Sequence, residues 1–114
     1  MKEIKAMIRP GRLAKLRAAV SGLVGFPGMS VSEVDGCSGY EPDLDHRSVR
    51  EQLTDWSGKV RIEILCADEQ VRELVTLIAE AAYTGHTGDG IIWVTEVQGR
   101  VRIVHKDSDL PLLP

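Results

Sequence analysis

The reading of "KVRIEILCADEQVRELVTLIAEAAYTGHTGDGIIWVTEV", residues 59–97, decides the fold. Its opening, KVRIEILCA (59–67), alternates, with Val60, Ile62, Ile64 and Cys66 on one side. A period of two predicts a half-buried strand. EQVRELVTLIAEAAY (69–83) then spaces Val71, Leu74, Val75, Ile78 and Ala82 at threes and fours, which predicts an amphipathic helix. Asp68 is suited to cap its start and Gly85 to follow its end. IIWVTEV (91–97) returns to strand-forming residues. Between helix and strand stands T-G-H-T-G-D-G (84–90). Glycine admits positive φ and lets another group come close to the backbone. Successive amides in such a turn can form a nest for an anion. The same letters also serve as a helix C-cap and a tight turn, and the residues alone leave both readings open.

Working outward, EIKAMI (3–8) places Ile4, Ala6 and Ile8 on one face and predicts a strand, which Pro10 and Gly11 end. RLAKLRAAVSGLV (12–24) predicts a helix through Leu13, Leu16, Val20 and Leu23. GFPG (25–28) breaks the chain and MSVSEV (29–34) reads as a strand. Gly36 then opens a polar stretch at 37–58, longer than the roughly 12–15 residues usual for a structureless connector, and such length points to function. VRIVH (101–105) reads as a short last strand and KDSDLPLLP (106–114) as a tail. The order is βαββαβ. It predicts an α+β fold in which two helices cover one face of an antiparallel four-stranded sheet, the ferredoxin-like split βαβ arrangement. One domain is expected over 1–105, with the tail outside it.

Composition narrows the function. A net charge of −3 gives no electrostatic case for a nucleic-acid partner. The early cations Lys2, Lys5, Arg9, Arg12, Lys15 and Arg17 are expected mostly to form a solvated face. No apolar run approaches the ~18 residues of a membrane span, and MKEIKAMIRP lacks a signal-peptide core, so a cytoplasmic chain with no direct membrane insertion is expected. Two cysteines without a C-x-x-C make no disulfide framework, and Cys66 reads as a small buried hydrophobe. Cys37, Glu41, Asp43, Asp45 and His46 cluster within ten residues. Cys37 and His46 are the metal-ligand candidates there, although the spacing matches no zinc motif and a solvated acidic loop is the plainer reading. No nucleophile–base pair is recognisable, so no enzyme is expected.

Several stretches together resemble the PII signal-transduction family, the nitrogen regulatory protein PII and its relatives. Thr84, then Gly88-Asp89-Gly90 with Ile92 and Trp93 beyond, is similar to the family's C-terminal signature. MKEIKAMIRPGRLAKLRAAV resembles its first strand, basic-Pro turn and first helix. GMSVSEVDG resembles the strand before its T-loop, and KVRIEILCADEQV the strand and helix start after it. The resemblance runs from Met1 to about Arg102. It implies a ferredoxin-like homotrimer that binds adenine nucleotide (ADP, AMP or ATP) in intersubunit clefts. It also implies a long T-loop between strands 2 and 3, here about 37–58, that controls a target protein such as a membrane transporter or an enzyme.

By the same resemblance, Gly88, Asp89 and Gly90 would lie against the phosphates and Thr84 would help hold the adenine. Met7 and Leu65 would line the base, with Ser30 near it. Gly36 would begin the T-loop, and Lys59 and Arg102 would reach phosphate. Two family cations are absent: Ile91 follows Gly-Asp-Gly, and Val104 stands in place of a second arginine. That predicts weaker triphosphate binding and a shift toward ADP or AMP, with His86, Arg100 and His105 as the remaining basic residues that could stand in. Gln52 falls where a modified tyrosine lies in some relatives, and Tyr40 where a glutamine helps hold 2-oxoglutarate, so neither property is carried over. The alternative is a metal-responsive PII-like trimer associated with cation efflux, with little nucleotide dependence.

Overall fold

A computed structural model describes residues 1–37 and 56–105. Among them four strands are β1 (Lys2–Ile8), β2 (Ser30–Gly36), β3 (Ser57–Cys66) and β4 (Gly90–Glu96). Two α-helices, α1 (Leu13–Ser21) and α2 (Val71–Ala82), follow β1 and β3. The sheet order is β2-β3-β1-β4 with every neighbouring pair antiparallel. This is the expected ferredoxin-like arrangement.

The alternation read from sequence sets the two faces. Ile4 sits opposite Ile64 on one side and Val94 on the other, and Ala6 opposite Ile62 and Ile92. Ile4, Ala6, Ile8, Val60, Ile62, Ile64 and Cys66 are all buried under the helices. From above, Leu16 and Val20 of α1 and Leu74, Ile78, Ala81 and Ala82 of α2 close the core. Each such Ile or Leu contributes about 1.5–3 kcal/mol by leaving water. The opposite face carries Lys5, Met7, Arg61, Glu63, Leu65, Ile91 and Trp93, none of them buried.

Several expectations need correction. Pro10–Arg12 forms a 3-10 turn, so α1 starts at Leu13, and it ends at Ser21, one residue before Gly22. β3 begins two residues earlier than expected because the hairpin continues to the pair Gly36↔Ser57. Asp68 does not cap α2: a 3-10 turn, Asp68–Gln70, intervenes, and the Gln70 side chain accepts the Ala67 N–H at 3.0 Å. Gly85 adopts a φ of +85°, two residues past the C-cap Tyr83. VRIVH does not form a strand; Ile103–His105 is a 3-10 turn with Ile103 and Val104 exposed. A strand needs a partner for its backbone N–H and C=O groups, and the described residues place none beside this segment. The early cations are not a free solvated face either. Lys2 pairs with Asp68 and Glu96, Lys5 with Glu3, and Arg9 with Asp89. Arg12 Nε donates to the Ala81 carbonyl near the end of α2 at 2.8 Å. The expectations for Tyr40, His46, Gln52, the interior of the T-loop and the 106–114 tail fall outside the described residues.

Candidate functional site

The β1–β4 ladder ends on the pair Ile8↔Gly90. That register brings Arg9, just past β1, against the glycine turn that precedes β4. Gly90 has a φ of +125°, and a Cβ there would lie 1.8 Å from the Met7 carbonyl oxygen. Only glycine fits so close to another backbone. Gly88 has a φ of +96°, with the Arg9 guanidinium 3.2 Å from where its Cβ would be.

The turn is laced together by one carboxylate. Asp89 Oδ2 accepts the Thr84 N–H at 2.7 Å and the Gly85 N–H at 2.9 Å. Its Oδ1 accepts the Thr84 hydroxyl, and Arg9 Nε at 3.2 Å. Arg9 Nη2 also donates to the Thr87 carbonyl at 2.7 Å. These donors, the Thr84 hydroxyl foremost, hold the Asp89 carboxyl well below the usual carboxylate range. Asp89 therefore faces into its own turn, and its role is to fix the shape of the backbone around it. Lys59 Nζ donates to the Gly88 carbonyl at 2.5 Å. Burial, and then the nearby Arg9 charge, lower the Lys59 pKa from the ordinary lysine value. With Arg9 already paired to Asp89, the Lys59 ammonium is the cation of this turn that an anion could meet.

A cavity of ≈ 610 Å³ opens at this point. It is lined by Met7, Gly36, Cys37, Lys59 and Gly88–Gly90, with His86 and Ile91 at its wall. Both ends of the long connector thus meet the glycine turn in one place. Of the residues predicted from sequence, this cavity gathers Met7, Gly36, Lys59, Gly88, Asp89 and Gly90, with Thr84 bonded to Asp89 behind it. Ser30, Leu65 and Arg102 lie elsewhere. They line a second cavity, also ≈ 610 Å³, with Glu63 and Arg100. Within one chain the predicted site is therefore two separate halves. Cys37 lines the first half, and His46 lies outside the described residues. Among the described residues no group of three or more metal-ligating side chains occurs.

The family described as "Nitrogen regulatory protein P-II" matches residues 1–107. The chain belongs to this family. It is similar to the nitrogen regulatory protein GlnK of Escherichia coli K12, 34% identical over 109 residues, or 96% of each chain. It is similar also to nitrogen regulatory protein P-II of Pasteurella multocida, 39% identical over 103 residues, or 90% of this chain and 91% of that one. A third relative, nitrogen regulatory protein P-II of Cyanidium caldarium, is 33% identical over 108 residues, 95% of each. The chain is thus a P-II family regulatory protein, and no described helix is long and apolar enough to cross a membrane.

In this P-II family member the sequence reading passed over two residues of the site. Arg9 was grouped with surface cations, although the Arg-Pro step at the end of β1 was the signal that it would turn back toward β4. Glu63 falls between the apolar positions of the alternating strand, and no motif singles it out. Its register partner Ser30 and its neighbour Leu65 place it in the second cavity.

Proposed function

We propose that the chain is a nucleotide-responsive regulator. An adenine nucleotide is held where the two cavities of neighbouring copies meet in a homotrimer. The observation that carries this reading is the first cavity, where Gly36 and Cys37 at the start of the connector face Lys59 and the Gly88–Gly90 turn. Anything anionic bound there touches both the glycine turn and the roots of the 37–56 segment.

In this reading Lys59 and the turn hold phosphate in one copy. In the neighbouring copy Leu65 offers apolar surface to the base, Glu63 an acceptor for its amino group, and Ser30 a hydroxyl. The nucleotide shifts the connector between conformations only as far as its affinities for them differ, and the connector then selects a target protein. No step transforms the ligand; the chain acts by binding in the cytoplasm. Family membership supports this assignment.

The test is calorimetric titration of the purified chain with AMP, ADP and ATP, each with and without magnesium, alongside its mass in solution. Micromolar binding at one nucleotide per subunit of a trimer is expected. No binding of any of the three, or tight binding by a stable monomer, would overturn the proposal.

A further inference from the structure

The lysines among the described residues stand in unlike surroundings. Lys2 is held by Glu96 and Asp68, whose carboxylates raise its pKa. Lys5 pairs with Glu3, and Lys15 is exposed on α1. Lys59 differs from all three. It lines the first cavity, its Nζ donates to the Gly88 carbonyl, and burial followed by the Arg9 charge lowers its pKa. Burial and a neighbouring cation are the two conditions that turn a lysine ammonium into an amine nucleophile.

The geometry around Gly88 adds a second feature. A Cβ there would lie 3.2 Å from Arg9 Nη2 and 3.7 Å from Lys59 Nζ. Glycine leaves that point open, so guanidinium and amine flank one small volume at the cavity wall. Arg9 directs Nε to Asp89 and Nη2 to the Thr87 carbonyl, out of the five N–H donors a guanidinium carries. The other titratable groups lining the cavity are Asp35 of β2, Cys37 just past it, and His86 and Asp89 in the turn. Asp89 acts against the lowering of the Lys59 pKa without cancelling it. A small molecule with a phosphoryl anion two bonds from an electrophilic carbonyl carbon meets both features at once.

We infer that Lys59 is an acylation site for acyl phosphates, guided by the glycine turn that the nucleotide-binding reading above sets against phosphate; the guidance rests on that reading. The ammonium passes one proton to a phosphoryl oxygen, and the neutral Nζ attacks the carbonyl carbon. The N–C bond forms, and the bond from that carbon to the bridging oxygen breaks, with its electron pair going to the oxygen. A second proton follows from Nζ, so dihydrogen phosphate leaves and Lys59 is left as an uncharged amide. Acylation then removes the cation that meets phosphate, and with it the ammonium bond between β3 and the turn.

The experiment treats the purified chain with acetyl phosphate and resolves acetylation at each lysine by mass spectrometry. Lys59 should react about 10-fold or more faster than the exposed Lys15. Excess inorganic phosphate or ATP should slow Lys59 alone, and an uncharged acetyl ester should show a smaller preference. The acetylated parent and Lys59→Gln should bind ADP and ATP about 10-fold more weakly than the untreated parent, with melting recorded for each. Equal rates at Lys15 and Lys59 would overturn the assignment and leave the nucleotide reading intact. So would a Lys59 rate that neither phosphate nor ATP alters in a chain shown to bind ATP. Selective Lys59 acetylation that phosphate slows and ATP does not would keep the assignment and overturn the nucleotide reading.

Discussion

The Lys59 ammonium donates to the Gly88 carbonyl over 2.5 Å, tying the start of β3 to the glycine turn before β4. β3 begins where the long connector ends, so this bond joins the glycine turn to the root of the connector through a single side chain. A phosphate in the cavity competes for the same ammonium. Lys59→Met is expected to weaken ADP and ATP binding by about 10-fold or more, measured by calorimetry. The pKa argument gives a second reading of the same residue. The lowered Lys59 pKa means its charged form is disfavoured in the folded chain at pH values below that pKa, and this cost is relieved as pH rises through it. An anion reverses the effect by favouring the ammonium. Binding at alkaline pH, where the free chain has begun to lose the Lys59 proton, should therefore take up protons, seen as a heat that depends on the buffer. Equal heats in buffers of different ionisation enthalpy would count against Lys59 as the phosphate contact.

Asp89 gives an acid-sensitive turn. Its folded pKa lies below the unfolded carboxylate value of about 3.9, so its stabilising contribution is complete above that value. It is lost as pH falls from there toward the folded value. Asp89→Asn should be less stable than the parent at pH 7, and the gap should narrow in denaturant titrations below about pH 4. A gap that stays constant from pH 7 to pH 3 would show that the carboxylate charge does not hold the turn.

Gly90 tolerates no side chain. Its would-be Cβ meets backbone, not a yielding side-chain tip, at 1.8 Å, and its φ is +125°. Gly90→Ala is expected to destabilise the fold by at least about 2–3 kcal/mol, since either the β1–β4 ladder or the turn must shift. Gly11 makes a fitting control: a Cβ there meets nothing within 4 Å. Equal melting temperatures for the two alanine variants would refute the close-packing account.

Ile91 lies on the wall of the first cavity and is 61% exposed, so a longer side chain can be accommodated without repacking. Ile91→Lys should raise affinity for ATP by about 10-fold while leaving AMP nearly unchanged. Competition of the three nucleotides for one site would measure this directly, and a uniform rise for all three would indicate a nonspecific charge effect.

Much of this architecture was readable because it obeys simple periods. Val60, Ile62, Ile64 and Cys66 had to share a face, as did Leu74 and Ile78, and all are buried. VRIVH misled because five alternating residues are also compatible with a turn, and only a neighbouring strand could have made them a ladder. The site was legible in parts. The glycines of 84–90 advertised an unusual backbone, but their letters did not reveal that Asp89 turns inward to Thr84 and Gly85. Arg9 escaped notice for a related reason. Its importance comes from the Ile8↔Gly90 register, a pairing between residues far apart in sequence that no local pattern encodes.

The central position of β1 has a consequence for how the molecule comes to exist. Both of its neighbours, β3 and β4, come late in the chain, and Lys2 meets Glu96 across a separation of 94 residues. β1 can make neither ladder until the chain beyond Gly36 has been synthesised and has looped back. Pairings this distant carry a large loop-closure entropy and slow the search for the native state. Until β4 arrives, one edge of β1 is an open template for any other extended strand. The glycine turn, whose shape depends on Arg9 and Met7 from β1's end, is therefore among the last features to form.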